Sequence, residues 1–343
     1  MRHRSETSRV LAEVCFRQAP QHLWLADGPP GLLLFSGRFK RVLTGLGLLA
    51  LICAVGAHPL TVRDDRAVEH RFESSPQRVV TLLPSLTEAV CAVGACDRIV
   101  GTDRYSNWPV RVAALPKLGG LDDAVVERIV ALRPDVVLAA SSTRALARLE
   151  SLGLKVLRFD SDRHEQVRAT LLRLGQLFGA EQAAQSAWQA VEADIAAAAV
   201  QVPAALRGRR VYFEADTTPY AAGEASFVGQ TLQRLHLRNI APAALGPFPR
   251  VSPEFVVQAQ PEVIIMARRH AAQMATRPGW GRLPALRGGQ VCGFDEATYE
   301  LLIRPGPRMG EAARAMATCL AALPPLTSTP PAAPTSGVAA PGN

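Results

Sequence analysis

The sequence contains few aromatic residues and none of several common catalytic motifs. Phe, Trp and Tyr make up 6% of the 343 residues, and 20% of the residues are charged. The HExxH motif of zinc proteases, the P-loop, the GxGxxG motif of dinucleotide-binding folds and the GxSxG motif of hydrolases are all absent from it. No two of the seven histidines have metal-ligand spacing. We therefore expect a protein that is not an enzyme and has no metal site or cofactor.

The positive charge is not concentrated in the body of the chain. The formal net charge is +8, and residues 1–57 supply half of it, with seven Lys or Arg against three acids. The other half is spread over the remaining residues without a block of like charge. A phosphate-binding surface needs a basic patch or stripe. The sequence therefore gives no indication of a nucleic-acid partner.

Residues 38–57 have the layout of a secretory signal peptide. Arg38, Lys40 and Arg41 precede an uncharged stretch, residues 42–57, that ends in small residues. This stretch is shorter than the roughly 20 residues that a membrane-spanning helix needs. We predict export to the periplasm, with 1–57 forming an extension and signal peptide. An uncleaved anchor in the inner membrane and a buried core helix are the alternatives.

Four cysteines follow the signal sequence, and no CxxC pair occurs among them. An oxidising compartment permits disulfides between Cys91, Cys96, Cys292 and Cys319. Cys292 lies on a predicted strand and Cys319 on the last predicted helix, so we favour this pair. Buried free thiols are the alternative interpretation.

The most informative feature is an internal near-repeat. Glu127 begins a segment that reaches Pro134 seven residues later, and Glu254 begins a segment that reaches Pro261 seven residues later. In both segments an amphipathic stretch stops at the proline, which cannot continue a helix, and a β-branched run follows it. Each half of the chain therefore contains a helix followed by a buried strand.

Further matches extend the repeat on both sides. Predicted strands open each half at Arg78 and Arg210, and later strands follow Gly153 and Gly289. Strands that alternate with helices indicate parallel sheets covered on both faces. We predict an α/β fold of two doubly wound lobes joined by a single long helix. The lobes are 58–160 and 207–322, with a helical connector at 161–206.

The connector is predicted to be stiff. Asp162 and Glu165 have the spacing of a capping box for a helix that ends at Gly179. Apolar residues then keep helical spacing over residues 182–202, about 30 Å at 1.5 Å per residue. A single helix of this length predicts only small closure of the lobes on ligand binding. The tail, 323–343, is Pro-rich and predicted to be disordered.

Three polar side chains stand at predicted helix starts. Ser85 could be a nucleophile at a strand-to-helix junction, but its S-x-x-E spacing favours a helix cap. Glu127 and Glu254 could simply stabilise their helices, because a negative charge in the first turn interacts favourably with the helix dipole. Their equivalent positions in the two halves also permit an interpretation as docking points for a two-fold symmetric partner.

Aromatic residues lie in loops rich in Gly and Pro in both halves. Tyr105, Trp108, Tyr220 and Phe248 are of this kind, and Arg304 lies in a similar loop. Aromatic side chains that face a cleft give a large contact area to a partly apolar ligand. Local packing of each loop is the alternative, but the set as a whole favours ligand binding.

Short motifs over residues 76–322 together resemble one protein family. They are the segments that begin at Arg78 (RVVTLLPSLTE), Tyr105 (YSNWP), Leu115 (LPKLGG), Val126 (VERIVALRPD) and Arg250 (RVSPE). The chain resembles the periplasmic substrate-binding proteins of the iron-complex and cobalamin ABC importers, and among them the cobalamin-binding members most closely. The resemblance implies a monomer that binds a small molecule between its lobes and delivers it to a permease dimer with cytoplasmic ATPase subunits.

The resemblance also implies roles for individual residues. The family's docking glutamates fall on Glu127 and Glu254, and its ligand-binding positions include Tyr105, Tyr220, Phe248 and Glu300. The ligand implied is a cobalamin-like corrinoid.

Three departures bear on this ligand. Two tryptophans of the cobalamin binders fall on Leu121 and Ala140, and the iron-ligating tyrosine of haem-binding relatives falls on Gly120. A ferric siderophore is the alternative ligand, if Arg304 or Arg308 meets an anionic chelate. An alternative of a different class is a membrane-tethered sensor or adaptor with the same two-lobed body, which requires that residues 42–57 remain uncleaved.

Overall fold

The computed structural model describes residues 59–216, 220–274 and 276–325. The predicted signal peptide at 38–57, and the tail beyond residue 325, lie outside the described residues. Within the described part of the chain, no helix combines the length and the apolar character needed to cross a membrane.

The described residues contain eleven strands and eleven α-helices. The strands are β1 (Leu60–Arg63), β2 (Glu69–Phe72), β3 (Val79–Thr81), β4 (Ile99–Thr102), β5 (Val136–Ala139), β6 (Val156–Arg158), β7 (Arg210–Asp216), β8 (Tyr220–Ala221), β9 (Arg238–Asn239), β10 (Val263–Ala267) and β11 (Val291–Phe294). The helices are α1 (Pro84–Ala92), α2 (Val126–Ala131), α3 (Leu146–Ser151), α4 (His164–Phe178), α5 (Glu181–Gln201), α6 (Phe227–Arg234), α7 (Pro253–Ala259), α8 (Ala271–Met274), α9 (Pro284–Arg287), α10 (Glu296–Leu302) and α11 (Met309–Ala321).

The two halves have sheets of the same strand order. In the first half the order is β4-β3-β5-β6, and all these pairs are parallel. In the second half β9, β7, β10 and β11 are parallel neighbours in the equivalent order, and β8 adds an antiparallel strand to β7. The repeat noticed in α2–β5 and α7–β10 therefore extends to the whole sheet, and the predicted two-lobed α/β fold is confirmed.

Both faces of each sheet are covered by apolar side chains. Val79 and Val80 are neighbours on β3, and they belong to separate apolar clusters on opposite faces of the first sheet. Phe213 and Tyr212 divide in the same way on β7. The cluster that contains Val79 also contains Phe213, so one continuous core runs from the first sheet to the second.

Two helices connect the halves. Gly179 is the C-cap of α4, as predicted, and its φ of +66° is the left-handed conformation that glycine adopts readily. α5 packs against α4 and α1 from the first half and against α6 and α11 from the second. The long helix predicted over residues 182–202 is therefore present as α5.

The predicted capping box at Asp162 and Glu165 is wrong. The N-cap residue of α4 is Arg163, whose backbone N–H donates to Gln166 Oε1 at 3.0 Å. Asp162 precedes the cap, and its backbone carbonyl accepts from the N–H of Phe227 in the second half at 2.5 Å. Asp162 is thus held by the other half and lies outside α4.

Two disulfides are present among the described residues. The predicted bond between Cys292 on β11 and Cys319 on α11 joins the last strand to the last helix. A second bond, between Cys91 and Cys96, was not predicted. Gly94, at φ +85°, reverses the chain between these two cysteines and brings them together.

Candidate functional site

A cavity of about 600 Å³ lies between the two halves. Parallel strands place their carboxyl ends at one edge of a sheet, where loops form binding sites. Both halves contribute loops and helix starts of this kind to the cavity. Its lining residues are Leu83, Pro84, Ser85, Tyr105, Leu121, Ala140, Ser142, Ser161, Asp162, Phe227, Phe248, Glu296, Glu300, Ile303, Arg304 and Pro305.

Four of the six residues predicted to bind a ligand lie in this lining: Tyr105, Phe248, Glu300 and Arg304. The other two, Trp108 and Tyr220, are not part of it. Trp108 packs under the guanidinium of Arg308, 4.3 Å from the ring centroid. Tyr220 is 39% exposed on β8.

Buried polar side chains fix the loop that carries Tyr105. Asp103 accepts from the backbone N–H groups of Tyr105 at 2.7 Å and Ser106 at 3.1 Å, and also from the Ser106 hydroxyl. Burial raises the pKa of Asp103 although these hydrogen bonds oppose the change. Lys117 Nζ donates to the Ser106 carbonyl at 2.6 Å. These hydrogen bonds fix the backbone of the loop, while the Tyr105 side chain remains 60% exposed.

Arg304 is bound by groups of the protein itself. One guanidinium nitrogen donates to Glu88 Oε1 at 3.1 Å and to Asn107 Oδ1 at 2.7 Å. The other donates to Glu300 Oε2 at 2.5 Å and to the Tyr105 carbonyl at 3.3 Å. Arg304 therefore ties the second half to the first, and these contacts leave it poorly placed to receive an anionic ligand.

Glu88 is the buried partner of Arg304 in the first half. It lies on α1 and is 3% exposed. Burial raises its pKa, and the charges of Arg304 and Arg308 only partly offset this effect. Sequence analysis missed this contact because the two residues are 216 positions apart and no local pattern relates them.

The predicted role of Ser85 as a helix cap is wrong. α1 has Leu83 at its N-cap and Pro84 at its first position, so Ser85 is already inside the helix. Its side chain is buried, and its hydroxyl has no hydrogen-bond partner among the described residues. Ser85 lines the cavity, but no histidine is among the lining residues, and the Ser85 hydroxyl bonds to none of the lining carboxylates.

Departures from the cobalamin-binding pattern lie in the cavity wall. Leu121 and Ala140, where the resemblance places tryptophans, both line the cavity. Gly120 borders an adjoining pocket, and a Cβ atom there would come within 3.3 Å of the Tyr105 ring. Sequence analysis also missed several lining residues, among them Phe227 and Asp162, and the spacing of Asp162 from Glu165 indicated only a helix cap.

Glu127 and Glu254 occupy equivalent positions, each in the first turn of its helix, α2 and α7. Ser252 caps α7 by accepting from the Phe255 N–H at 3.1 Å, as its position before Pro253 indicates. Both glutamates are exposed, and neither forms an ion pair within the described residues. Both are therefore available to a partner.

No cluster of three or more His, Cys, Asp or Glu side chains able to hold a metal ion occurs in the described ranges.

Comparison with known proteins places this geometry in a family. Residues 79–298 match the family model described as periplasmic binding protein. The chain is 26% identical over 270 residues to an uncharacterised ABC transporter substrate-binding lipoprotein, YvrC, of Bacillus subtilis, covering 76% of this chain and 84% of that protein.

Two further relatives differ in what they bind. The chain is 31% identical over 210 residues to a vitamin B12-binding protein of Salmonella paratyphi A, covering 60% of this chain and 78% of that protein. A solved structure of a periplasmic haem-binding protein from Pseudomonas aeruginosa matches with a TM-score of 0.62 and 26% identity, covering 72% of this chain and 93% of that chain. The chain belongs to the periplasmic binding protein family, whose members are the substrate-binding components of ABC importers and work with permease and ATPase components.

Proposed function

We propose that this protein binds a cobalamin-like corrinoid between its two halves and delivers it to the permease of an ABC importer. The observation that carries the proposal is the cavity of about 600 Å³, whose wall combines apolar side chains with the aromatic rings of Tyr105 and Phe248 from opposite halves. A corrinoid has a large flat ring with amide groups at its edge, so apolar walls with few polar groups suit it. The vitamin B12-binding relative supports the same ligand class.

The smaller residues at Leu121 and Ala140 are compatible with a bulky ligand. Both line the cavity, and each is smaller than the tryptophan that the resemblance places there. An aliphatic wall gives up part of the aromatic stacking energy but leaves more room for the ring and its side chains. We therefore expect weaker binding than with two tryptophans, at an unchanged site.

Haem and ferric siderophores are the competing ligands. The position of the iron-ligating tyrosine of haem-binding relatives is Gly120 here, and a side chain added there would crowd Tyr105. An anionic chelate would need a free cation, but Arg304 is already bound to two carboxylates. Both observations favour the corrinoid.

The test is isothermal titration of the purified protein with cyanocobalamin, dicyanocobinamide, haemin and a ferric hydroxamate. One-to-one binding of a corrinoid, tighter than that of either iron ligand, supports the proposal. Binding of haemin or the hydroxamate without binding of either corrinoid contradicts it and assigns the cavity to that iron ligand.

Delivery to the permease is proposed to use Glu127 and Glu254. Each is an exposed acid in the first turn of its helix, one in each half, which suits one basic patch on each subunit of a permease dimer. The double variant Glu127→Ala/Glu254→Ala should keep its ligand affinity but bind the reconstituted importer more weakly. Glu181→Ala, at an exposed first-turn glutamate of α5, is the matched control. Equal loss of ligand affinity in the soluble double variant would contradict the assignment.

A further inference from the structure

The charged residues of the cavity wall are mostly acids. Asp162, Glu296 and Glu300 line the cavity, and Arg304 is the only cation among its described lining residues. Glu296 pairs with Arg269, and Glu300 pairs with Arg304 at 2.5 Å. The wall therefore has more negative than positive groups, and the negative charge that remains is at Asp162.

The cavity has no positive charge to spare. Besides Glu300, Arg304 binds Glu88 at 3.1 Å, and Arg308 lies 3.8 Å from that same carboxylate. The nearby Arg104, in the adjoining pocket, pairs with Asp123. A ligand carboxylate that entered the cavity would have to displace one of these protein carboxylates from its arginine.

Asp162 stands out because its carboxylate accepts no hydrogen bond from any described residue and forms no ion pair with one. Its backbone, in contrast, is fixed: the carbonyl accepts from the Phe227 N–H of the other half at 2.5 Å. Phe227 lines the same cavity. The contact between the halves thus holds Asp162 at the edge of the ligand space.

The surroundings of Asp162 make a ligand donor favourable. Burial raises its pKa, and the charge of Asp160 acts in the same direction, against Arg163. Asp162 is exposed, so a ligand that fills the cavity would remove water from its carboxylate, and a hydrogen-bond donor on that ligand would restore the lost interaction. A donor to a charged acceptor forms a stronger bond than a donor to a neutral one.

We propose that Asp162 is a specificity-determining residue of the cavity, whose carboxylate accepts hydrogen bonds from amide or ammonium N–H groups of the ligand and repels ligand carboxylates. The inference rests on the proposed function, because it assumes that the cavity holds the ligand. It assigns to the site a neutral or cationic ligand rich in N–H donors, such as a corrinoid with its primary amides. Haem, with its propionates, would be disfavoured.

The test compares Asp162→Asn with Asp160→Asn. Asp160 is the matched control, because it lies two residues away, carries the same charge and is not one of the residues that line the cavity. Affinities for dicyanocobinamide and haemin are measured by titration for both variants and the native protein. We expect Asp162→Asn to weaken cobinamide binding about tenfold, because a charge-assisted bond becomes a neutral one, and to strengthen haemin binding. Asp160→Asn should leave both affinities unchanged.

Opposite shifts for the two ligands separate a specificity role from a structural one, since a folding defect would weaken both. If the native protein binds cobinamide and Asp162→Asn binds both ligands as the native protein does, the inference is overturned and the proposed function stands. If the native protein binds haemin alone, the proposed function is wrong. The ligand class inferred here then fails with it, because a site that selects haemin does not select a neutral or cationic ligand.

Discussion

The ion pair between Arg304 and Glu88 joins the two halves, so its removal should weaken the whole molecule. Arg304→Met leaves Glu88 buried, with Arg308 at 3.8 Å as the remaining cation. Removing one partner of a buried pair costs about 3 to 5 kcal/mol, and Arg308 puts this case near the lower end. Since 1 kcal/mol corresponds to at most about 2 °C for a protein larger than about 250 residues, the unfolding midpoint should fall by about 6 °C.

The assay is thermal and urea unfolding of four proteins: the native protein, Arg304→Met, Glu88→Gln and the double variant. The penalty in Arg304→Met arises from an uncompensated carboxylate, so adding Glu88→Gln should recover most of the loss. Glu88→Gln alone should cost much less than Arg304→Met, because Arg304 keeps Glu300 at 2.5 Å. This recovery in the double variant is the signature of the pair.

The penalty should also depend on pH. Burial raises the pKa of Glu88, so the folded state keeps its proton to a higher pH than the unfolded state does. The stability that Glu88 contributes therefore falls as pH rises from its unfolded pKa through its folded pKa. Without Arg304 this fall is steeper, so Arg304→Met should lose more stability at pH 7.5 than at pH 4.5. A loss below about 0.5 kcal/mol, or additive effects in the double variant, would refute the reasoning.

Three further predictions concern stability. Burial lowers the pKa of His164, so the unfolded state takes up the proton first as pH falls below about 6.5. His164→Asn should therefore reduce the loss of unfolding free energy between pH 7 and 5. An unchanged dependence of the unfolding free energy on pH would exclude His164 as the cause. Gly310 of α11 packs directly on Asp194 of α5. Gly310→Leu should therefore lower the free energy of unfolding in urea by about 1 to 3 kcal/mol. An unchanged free energy of unfolding in this variant would disprove the close packing. Replacing both Cys292 and Cys319 by Ser opens a bond of sequence separation 27 and should cost about 3 to 4 kcal/mol, and an unchanged melting temperature would show that the bond contributes nothing.

Local patterns predicted the elements well. The near-repeat around Pro134 and Pro261 gave α2–β5 and α7–β10, because proline ends a helix wherever it occurs in the chain. Gly179 was also predicted correctly, since a left-handed C-cap depends only on neighbouring residues. Element types and their order follow from interactions of this short range.

The errors occurred where a distant contact or a competing local preference decides the outcome. Ser85 fits the cap pattern, but Pro84 takes the first position of α1 and moves the cap to Leu83. Asp162 also fits a cap pattern, but its carbonyl is held by Phe227 from the other half. The composition of the candidate site could be predicted only in part, because the loops that form it come together through the fold of both sheets.

The continuous core has a consequence for how the chain is made. Residues of the first sheet, such as Val79, share one apolar cluster with residues that are synthesised much later, such as Phe213 on β7 and Met316 on α11. The first half, on leaving the ribosome, thus has a bare apolar face with nothing yet to bury it. A fragment that ends before α5 should be prone to aggregation and incompletely folded. The native fold should form only after the last helix, α11, has been synthesised.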